Sequence, residues 1–92
     1  MKNKIFEDPF IYNVPTIDLH GDDRDTARVK ILDFISDNIK MKNDRIIIIH
    51  GIGSGILRKI TKNTLQNDKR VLKYQTTYFN RGSTIVWLKF DK

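Results

Sequence analysis

Cysteine is missing from the chain. Its absence rules out a disulfide framework, a thiolate nucleophile and any zinc site built on sulfur. Proline occurs only at Pro9 and Pro15, and both disfavour a regular helix through the first fifteen residues. No apolar run is long enough to cross a membrane. The opening Met1-Lys2-Asn3-Lys4 leads into Glu7, Asp8 and Pro9 in place of the apolar core of a signal segment. The expected setting is the reducing cytoplasm, with no membrane partner. Carboxylates are the minority: 11 acidic against 17 basic residues give a formal charge of +6 and a pI near 9.7. That imbalance favours an anionic partner, nucleic acid before a membrane surface. A membrane-binding helix would gather its cations on one face, whereas here they are spread along the chain. Ordinary solvated lysines are the plainer account of charge taken alone.

What is present fits one small domain of 92 residues. A chain of this size buries about two-thirds of its unfolded surface, so the core must use most of the apolar side chains. The most informative stretch is Arg45 to Arg58. Ile46 to Ile49 form a β-branched run suited to a strand covered on both faces. Gly51, Gly53 and Gly55 follow at alternate positions and allow a tight turn with uncovered N–H groups. A helix starting at about Ser54 would direct its positive end at an anion seated over that turn, most naturally a phosphate.

Residues 1–15 carry Ile5, Phe6, Phe10, Ile11 and Tyr12 and read as an extended arm ahead of a domain at 16–92, because free exposure of so many large apolar groups is unfavourable. Thr16 to Gly21 reads as a strand whose Asp18 and His20 share a face. Asp23 caps a helix running to about Met41, with Ala27, Ile31, Leu32, Phe34, Ile35 and Ile39 as its apolar stripe. After the isoleucine strand, a helix over about Ser54–Asn67 turns Ile56, Leu57, Ile60 and Leu65 inward and Arg58, Lys59, Lys62 and Asn63 outward. Val71–Phe79 and Thr84–Phe90 then read as two strands joined at Asn80-Arg81-Gly82-Ser83, the last strand being the more apolar and the more central. The order β-α-β-α-β-β predicts an α/β two-layer sandwich, a four-stranded mixed sheet with both helices on one face. The arm would then cover Tyr74, Tyr78, Ile85 and Trp87 on the other face.

Each of the two histidines precedes a glycine at a strand end, in Leu19-His20-Gly21 and Ile49-His50-Gly51. Ligands of open α/β sheets sit outside such ends, so the two imidazoles and the glycine turn should converge there if the strands are neighbours. Asp18, two residues and ~7 Å back along the strand, is placed to orient or charge-stabilise His20. Singly, each feature has an ordinary structural reading: a turn-stabilising carboxylate, a strand-end histidine bonded to a carbonyl, glycines serving geometry. Their grouping at one sheet edge is the stronger signal. Trp87 and the tyrosines suit base stacking, although packing accounts for them more simply.

Ile17-Asp18-Leu19-His20-Gly21 and His50-Gly51-Ile52-Gly53-Ser54-Gly55-Ile56-Leu57-Arg58 resemble the two signatures of the small MutS-related (Smr) domain, L-D-L-H-G and H-G-x-G-x-G-x-L-R. The departure is Ile17 for leucine. The resemblance spans residues 16 to 90 and implies a fold similar to the C-terminal domain of translation initiation factor three, with the last strand antiparallel between the second and third. It also implies nucleic-acid binding and endonuclease activity, on DNA in some members and on messenger RNA at stalled ribosomes in others. Asp18 and His20 would be catalytic; His50, Gly51, Gly53, Gly55 and Arg58, with Ser54 in the same turn, would bind substrate. Many relatives carry a glycine-rich loop before the last strand; here Arg81, in a shorter loop, is left to take a phosphate.

The expected chemistry is cleavage of single-stranded RNA, with His20 as general base or acid and the glycine turn and Arg58 holding the phosphate. RNA carries its own nucleophile, the 2′-hydroxyl, whereas DNA hydrolysis must activate water and usually recruits a divalent ion. The carboxylates Asp18, Asp22 and Asp23 form no high-affinity cage; they leave room only for a weakly held Mg2+ or Mn2+. The alternatives are DNA nicking and, in a different class, a non-catalytic module docking on nucleic acid or the ribosome. Oligomeric state is not encoded in any of these features.

Overall fold

The computed structural model describes residues 13–53, 55–77 and 82–89. They form β1 (Thr16–Asp18), α1 (Arg24–Lys40), β2 (Arg45–Ile49), α2 (Ile56–Gln66), β3 (Val71–Thr77) and β4 (Ser83–Leu88), the order expected from the sequence. The sheet runs β1-β2-β4-β3, with β1 parallel to β2 and β4 antiparallel to both neighbours. The last strand is therefore the inserted one. Residues 1–12 of the expected arm, and Tyr78 on the face it was expected to cover, lie outside the described residues.

Alternation along the strands sorts the sheet into two unlike faces. Ile46 and Ile48 of β2 and Val86 and Leu88 of β4 are buried against Ala27, Ile31 and Ile35 of α1 and Leu65 of α2. The opposite parity, Ile47 and Ile49 paired with Ile85 and Ser83, is less uniformly buried. The isoleucine run is thus fully covered on its helix side only. Tyr74, expected on the other face, pairs with Val86 and lies on the helix side. Trp87 does face away from the helices, with the Lys73 ammonium 4.6 Å from its ring centroid.

Local chemistry sets the helix limits. Asp23 sits in extended conformation and its carboxylate accepts the Thr26 N–H at 2.8 Å, the N-cap expected of it. At the far end Asn38 is fully buried; its amide donates to Phe34 O, and its Oδ1 accepts from Asn43 Nδ2, each at 2.8 Å. This closes the turn into β2. Arg70 fastens the start of β3, reaching Asp68 Oδ2 at 2.8 Å and Ser36 Oγ on α1 at 2.6 Å. The Arg70 guanidinium holds the Asp68 carboxyl below the usual carboxylate range. The second helix starts at Ile56, two residues later than expected, and Ile56 itself is 45% exposed instead of turned inward.

Candidate functional site

Strand β1 stops at Asp18, short of the expected Gly21, because the next residues turn back on themselves. Asp18 Oδ1 accepts the main-chain N–H of His20 at 2.8 Å, and the Asp22 N–H donates to Leu19 O at 3.0 Å. Lys30 of α1 ties the turn down through an ion pair to Asp22 at 2.8 Å. Leu19 is fully buried and its N–H reaches Ile49 O at 2.9 Å. That bond places the β1 turn beside the end of β2, with His20 exposed. Among the described residues the His20 ring has no hydrogen-bond partner; the carboxylate expected to orient the imidazole holds the histidine's backbone.

His50 has the opposite environment. It continues the parity of Ile46 and Ile48 onto the helix side and is 5% exposed. Nδ1 lies 3.0 Å from Gly51 O, and Nε2 lies 2.9 Å from Thr84 Oγ1. A carbonyl can only accept, so Nδ1 carries the proton and Nε2 accepts from the Thr84 hydroxyl. Burial pushes its pKa below the ordinary histidine value; the nearby Arg58 charge adds to this and the bond to Gly51 O opposes it. Both ring nitrogens are engaged inside the protein, and the ring fixes the first glycine of the turn to β4.

Gly82 completes the turn from the other side. Its carbonyl accepts the N–H groups of His50 and Gly51, each at 3.1 Å. It has φ +83°, and a Cβ there would stand 2.8 Å from Gly51 O. No other residue type permits that approach without movement. Gly55 (φ +85°) is the N-cap of α2 and supplies no side-chain acceptor to the first helical turn, which also holds no carboxylate. The Arg58 guanidinium lies over Gly55, with Nη2 3.8 Å from where a Cβ would be. A Cβ on Gly53 would meet nothing within 4 Å, so the turn is open to solvent there. These features favour an anion seat: a helix start whose N-cap glycine supplies no side-chain acceptor, a cation beside it and space above it.

The structure brings Asp18 and His20 together with His50, Gly51, Gly53, Gly55 and Arg58 at one end of the sheet. Ser54 and Arg81 lie outside the described residues. Three features were not assigned from sequence. Gly82 acts through close packing, and Thr84 through its bond to His50. Lys59 and Lys62, read as solvated surface, line with Arg58 a groove of about 410 Å³ walled opposite by Tyr74, Thr76 and Thr84. The signal for the groove was available: residues 55 to 67 contain three cations and no carboxylate. Among the described residues no group of three or more histidine and acidic side chains is placed to hold a metal ion, and no helix is long and apolar enough to cross a membrane.

A two-layer α/β domain with this strand order and paired His-Gly turns defines a small, recognisable class. The family model described as "Smr domain" matches residues 17–89, and the chain belongs to the Smr domain family. It is 36% identical over 76 residues to an Endonuclease MutS2 of Finegoldia magna, covering 79% of this chain and 10% of that protein. An Endonuclease MutS2 of Ligilactobacillus salivarius is 33% identical over 78 residues, with 82% and 10% covered. The chain thus spans about a tenth of the length of these relatives. Among solved structures it is similar to the Smr domain of Thermus thermophilus MutS2, with a TM-score of 0.79 and 25% identity over 83% of this chain and 99% of that one. The fold is shared with YdaL, a stand-alone small MutS-related protein from Escherichia coli, at a TM-score of 0.74, 22% identity and coverage of 80% and 63%.

Proposed function

We propose that this domain is an endonuclease that cuts single-stranded RNA. The observation that carries the reading is the Leu19 N–H to Ile49 O bond, which sets an exposed histidine beside an open, cation-flanked glycine turn. The name Endonuclease MutS2 borne by the relatives supports the nuclease class. On this reading the scissile phosphate sits over the Gly51–Gly55 turn. His20 takes the proton of the neighbouring 2′-hydroxyl, the 2′-oxygen attacks phosphorus, and the bond to the 5′-oxygen breaks. That oxygen takes up a proton as it leaves, returned by the His20 imidazolium directly or through water. The products are a 2′,3′-cyclic phosphate and a 5′-hydroxyl end. Arg58 and the first turn of α2 stabilise the charge gathering on the phosphoryl oxygens. Asp18 is a positioning residue, acting on the turn that carries His20. His50 keeps the glycine turn in shape from below. The stretch before residue 16 would serve as an arm, and a ribosome-bound messenger would be one substrate of the right chemistry.

A second reading, a non-catalytic nucleic-acid-binding module, is favoured by one observation: Asp18 spends an oxygen on the backbone of His20. The two are separated by cutting assays on one sequence made as RNA and as DNA, each with and without chelator. The expected result is cleavage of RNA alone, chelator-insensitive, with a cyclic phosphate end. Cleavage of the DNA strand that needs added Mg2+ or Mn2+ would replace the RNA reading with DNA nicking. Binding without cleavage of either strand would leave the module.

A further inference from the structure

The groove between α2 and β3 differs in composition from the exposed face of α1. Arg58, Lys59 and Lys62 line one wall, and Tyr74 and Thr76 the other, with Thr84 at its inner end. Neither α2 nor β3 contains a carboxylate. By contrast α1 mixes Arg24, Arg28, Lys30 and Lys40 with Asp25, Asp33 and Asp37, and two of its cations are in ion pairs. Among the described residues none of the three groove cations makes an ion pair. On a convex helix face such charges would point apart into water. Here the register of β3 with β4 turns Tyr74 and Thr76 toward the helices, so hydroxyl donors face the cations across a concavity. Arg58 and Lys62 are four residues apart on α2, about 6 Å along the axis, and Arg58 also overhangs Gly55. The groove therefore leads away from the glycine turn without a break in positive charge.

We propose that this groove is a second phosphate subsite, which holds the sugar–phosphate backbone of the strand next to the phosphate at the glycine turn. Lys59 and Lys62 neutralise the backbone, and Tyr74 and Thr76 donate hydroxyl hydrogen bonds to it. Arg58 is shared between the two seats. The volume suits one nucleotide-sized group, being within the ~300–1,000 Å³ of small-molecule sites. The proposal rests on the nucleic-acid reading above and extends it from one phosphate to a path along the strand.

The test uses single-stranded 2′-O-methyl oligonucleotides of graded length, which bind but lack the nucleophile. Affinity is measured against salt for the wild-type chain and for the K59Q/K62Q double variant. Both lysines are exposed, so the fold should be kept; a thermal melt checks this. In the wild type, affinity should rise with length until the strand spans both seats. In the variant that rise should shrink, and the slope of log K against log salt should fall by about 1.4, at ~0.7 for each single-strand phosphate that the variant no longer neutralises. The shortest oligonucleotides, reaching only the glycine turn, should bind both proteins alike. Inorganic phosphate should compete weakly and equally in the two. Equal slopes and equal length dependence in wild type and variant would overturn the subsite. Failure of the wild type to bind at any length would overturn it together with the nucleic-acid reading. A lowered slope in a chain that cuts nothing would keep the groove and remove only the endonuclease.

Discussion

The two His-Gly turns are alike in sequence and opposite in surroundings. His20-Gly21 ends a strand at the sheet edge, where the backbone turns on the Asp18 carboxylate and leaves the imidazole in solvent. His50-Gly51 ends the neighbouring strand, where parity carries the ring to the helix side and gives both nitrogens a partner. The difference follows from position. Burial alternates through both strand ends. His20 falls in the parity of exposed Asp18, with Leu19 buried between them, whereas His50 falls in the parity of buried Ile46 and Ile48. A buried, doubly bonded imidazole builds a turn; an exposed one is available to exchange a proton. Paired motifs at one site need not contribute paired chemistry.

The sharpest way to break this comparison is to truncate each ring. His20→Ala should lower the cutting rate by about 10²–10⁴-fold, the usual worth of a positioned proton-transfer group, while the melting temperature holds. His50→Ala should do the reverse first: it leaves the Thr84 hydroxyl and the Gly51 carbonyl short of a partner and opens a cavity, at a cost of about 1–3 kcal/mol in stability. Chemical denaturation of both variants beside a cleavage assay checks this. A His50→Ala chain of normal stability that no longer cuts would erase the distinction.

Next in size is Gly82→Ala. The methyl group would stand 2.8 Å from Gly51 O and 2.8 Å from Ile52 Cγ2, at a φ of +83°. Something must move, and what moves is the turn that His50 also holds. A destabilisation of about 1–3 kcal/mol is expected from the strain, with weaker oligonucleotide binding. A Gly82→Ala chain with unchanged stability and affinity would mean that the turn has slack and that His50 alone shapes it.

Much of this was legible in the chain. The element order and the meeting of the two turns at one sheet edge follow from hydropathy period and glycine spacing. The antiparallel insertion of the last strand was implied by the Smr resemblance, its apolar composition marking it only as the more central of the final pair. What was not legible depends on which face a residue reaches after the pairing is made. Tyr74 could be assigned to either side of the sheet until the β3–β4 register was known. Lys59 and Lys62 read as surface because only β3 beside them makes a groove. Asp18 could serve the His20 ring or its backbone, since both are within reach of a carboxylate two residues away. Gly82 was one glycine in a short loop until its approach to Gly51 gave it a reason.

The Asp18 question calls for a smaller but more discriminating pair of variants. Asp18→Asn keeps an oxygen for the His20 N–H and removes the charge; Asp18→Ala removes both. If the residue acts through the backbone, Asn should cut within about fivefold of wild type, matching the ~1 kcal/mol scale of one hydrogen bond. Alanine should cut substantially more slowly. Equal loss in both would return the carboxylate's charge to the mechanism and bring His20 closer to an ion-paired role.

The smallest effect is in the pH dependence of stability, and it belongs to His50. Its pKa is lowered in the folded chain, with burial the largest cause, while the unfolded chain should titrate near the ordinary ~6.5. Between the two values the unfolded state binds more protons than the folded one, so unfolding free energy rises with pH across that interval. The His50 contribution is therefore complete above about 6.5 and is lost as pH falls through the folded value. For one proton the slope cannot exceed about 1.36 kcal/mol per pH unit. Unfolding curves for wild type and His50→Gln across this range isolate it, because glutamine does not titrate. The wild type should lose stability on acidification relative to the variant. Parallel curves would mean that the ring accepts a proton in the folded state at no cost.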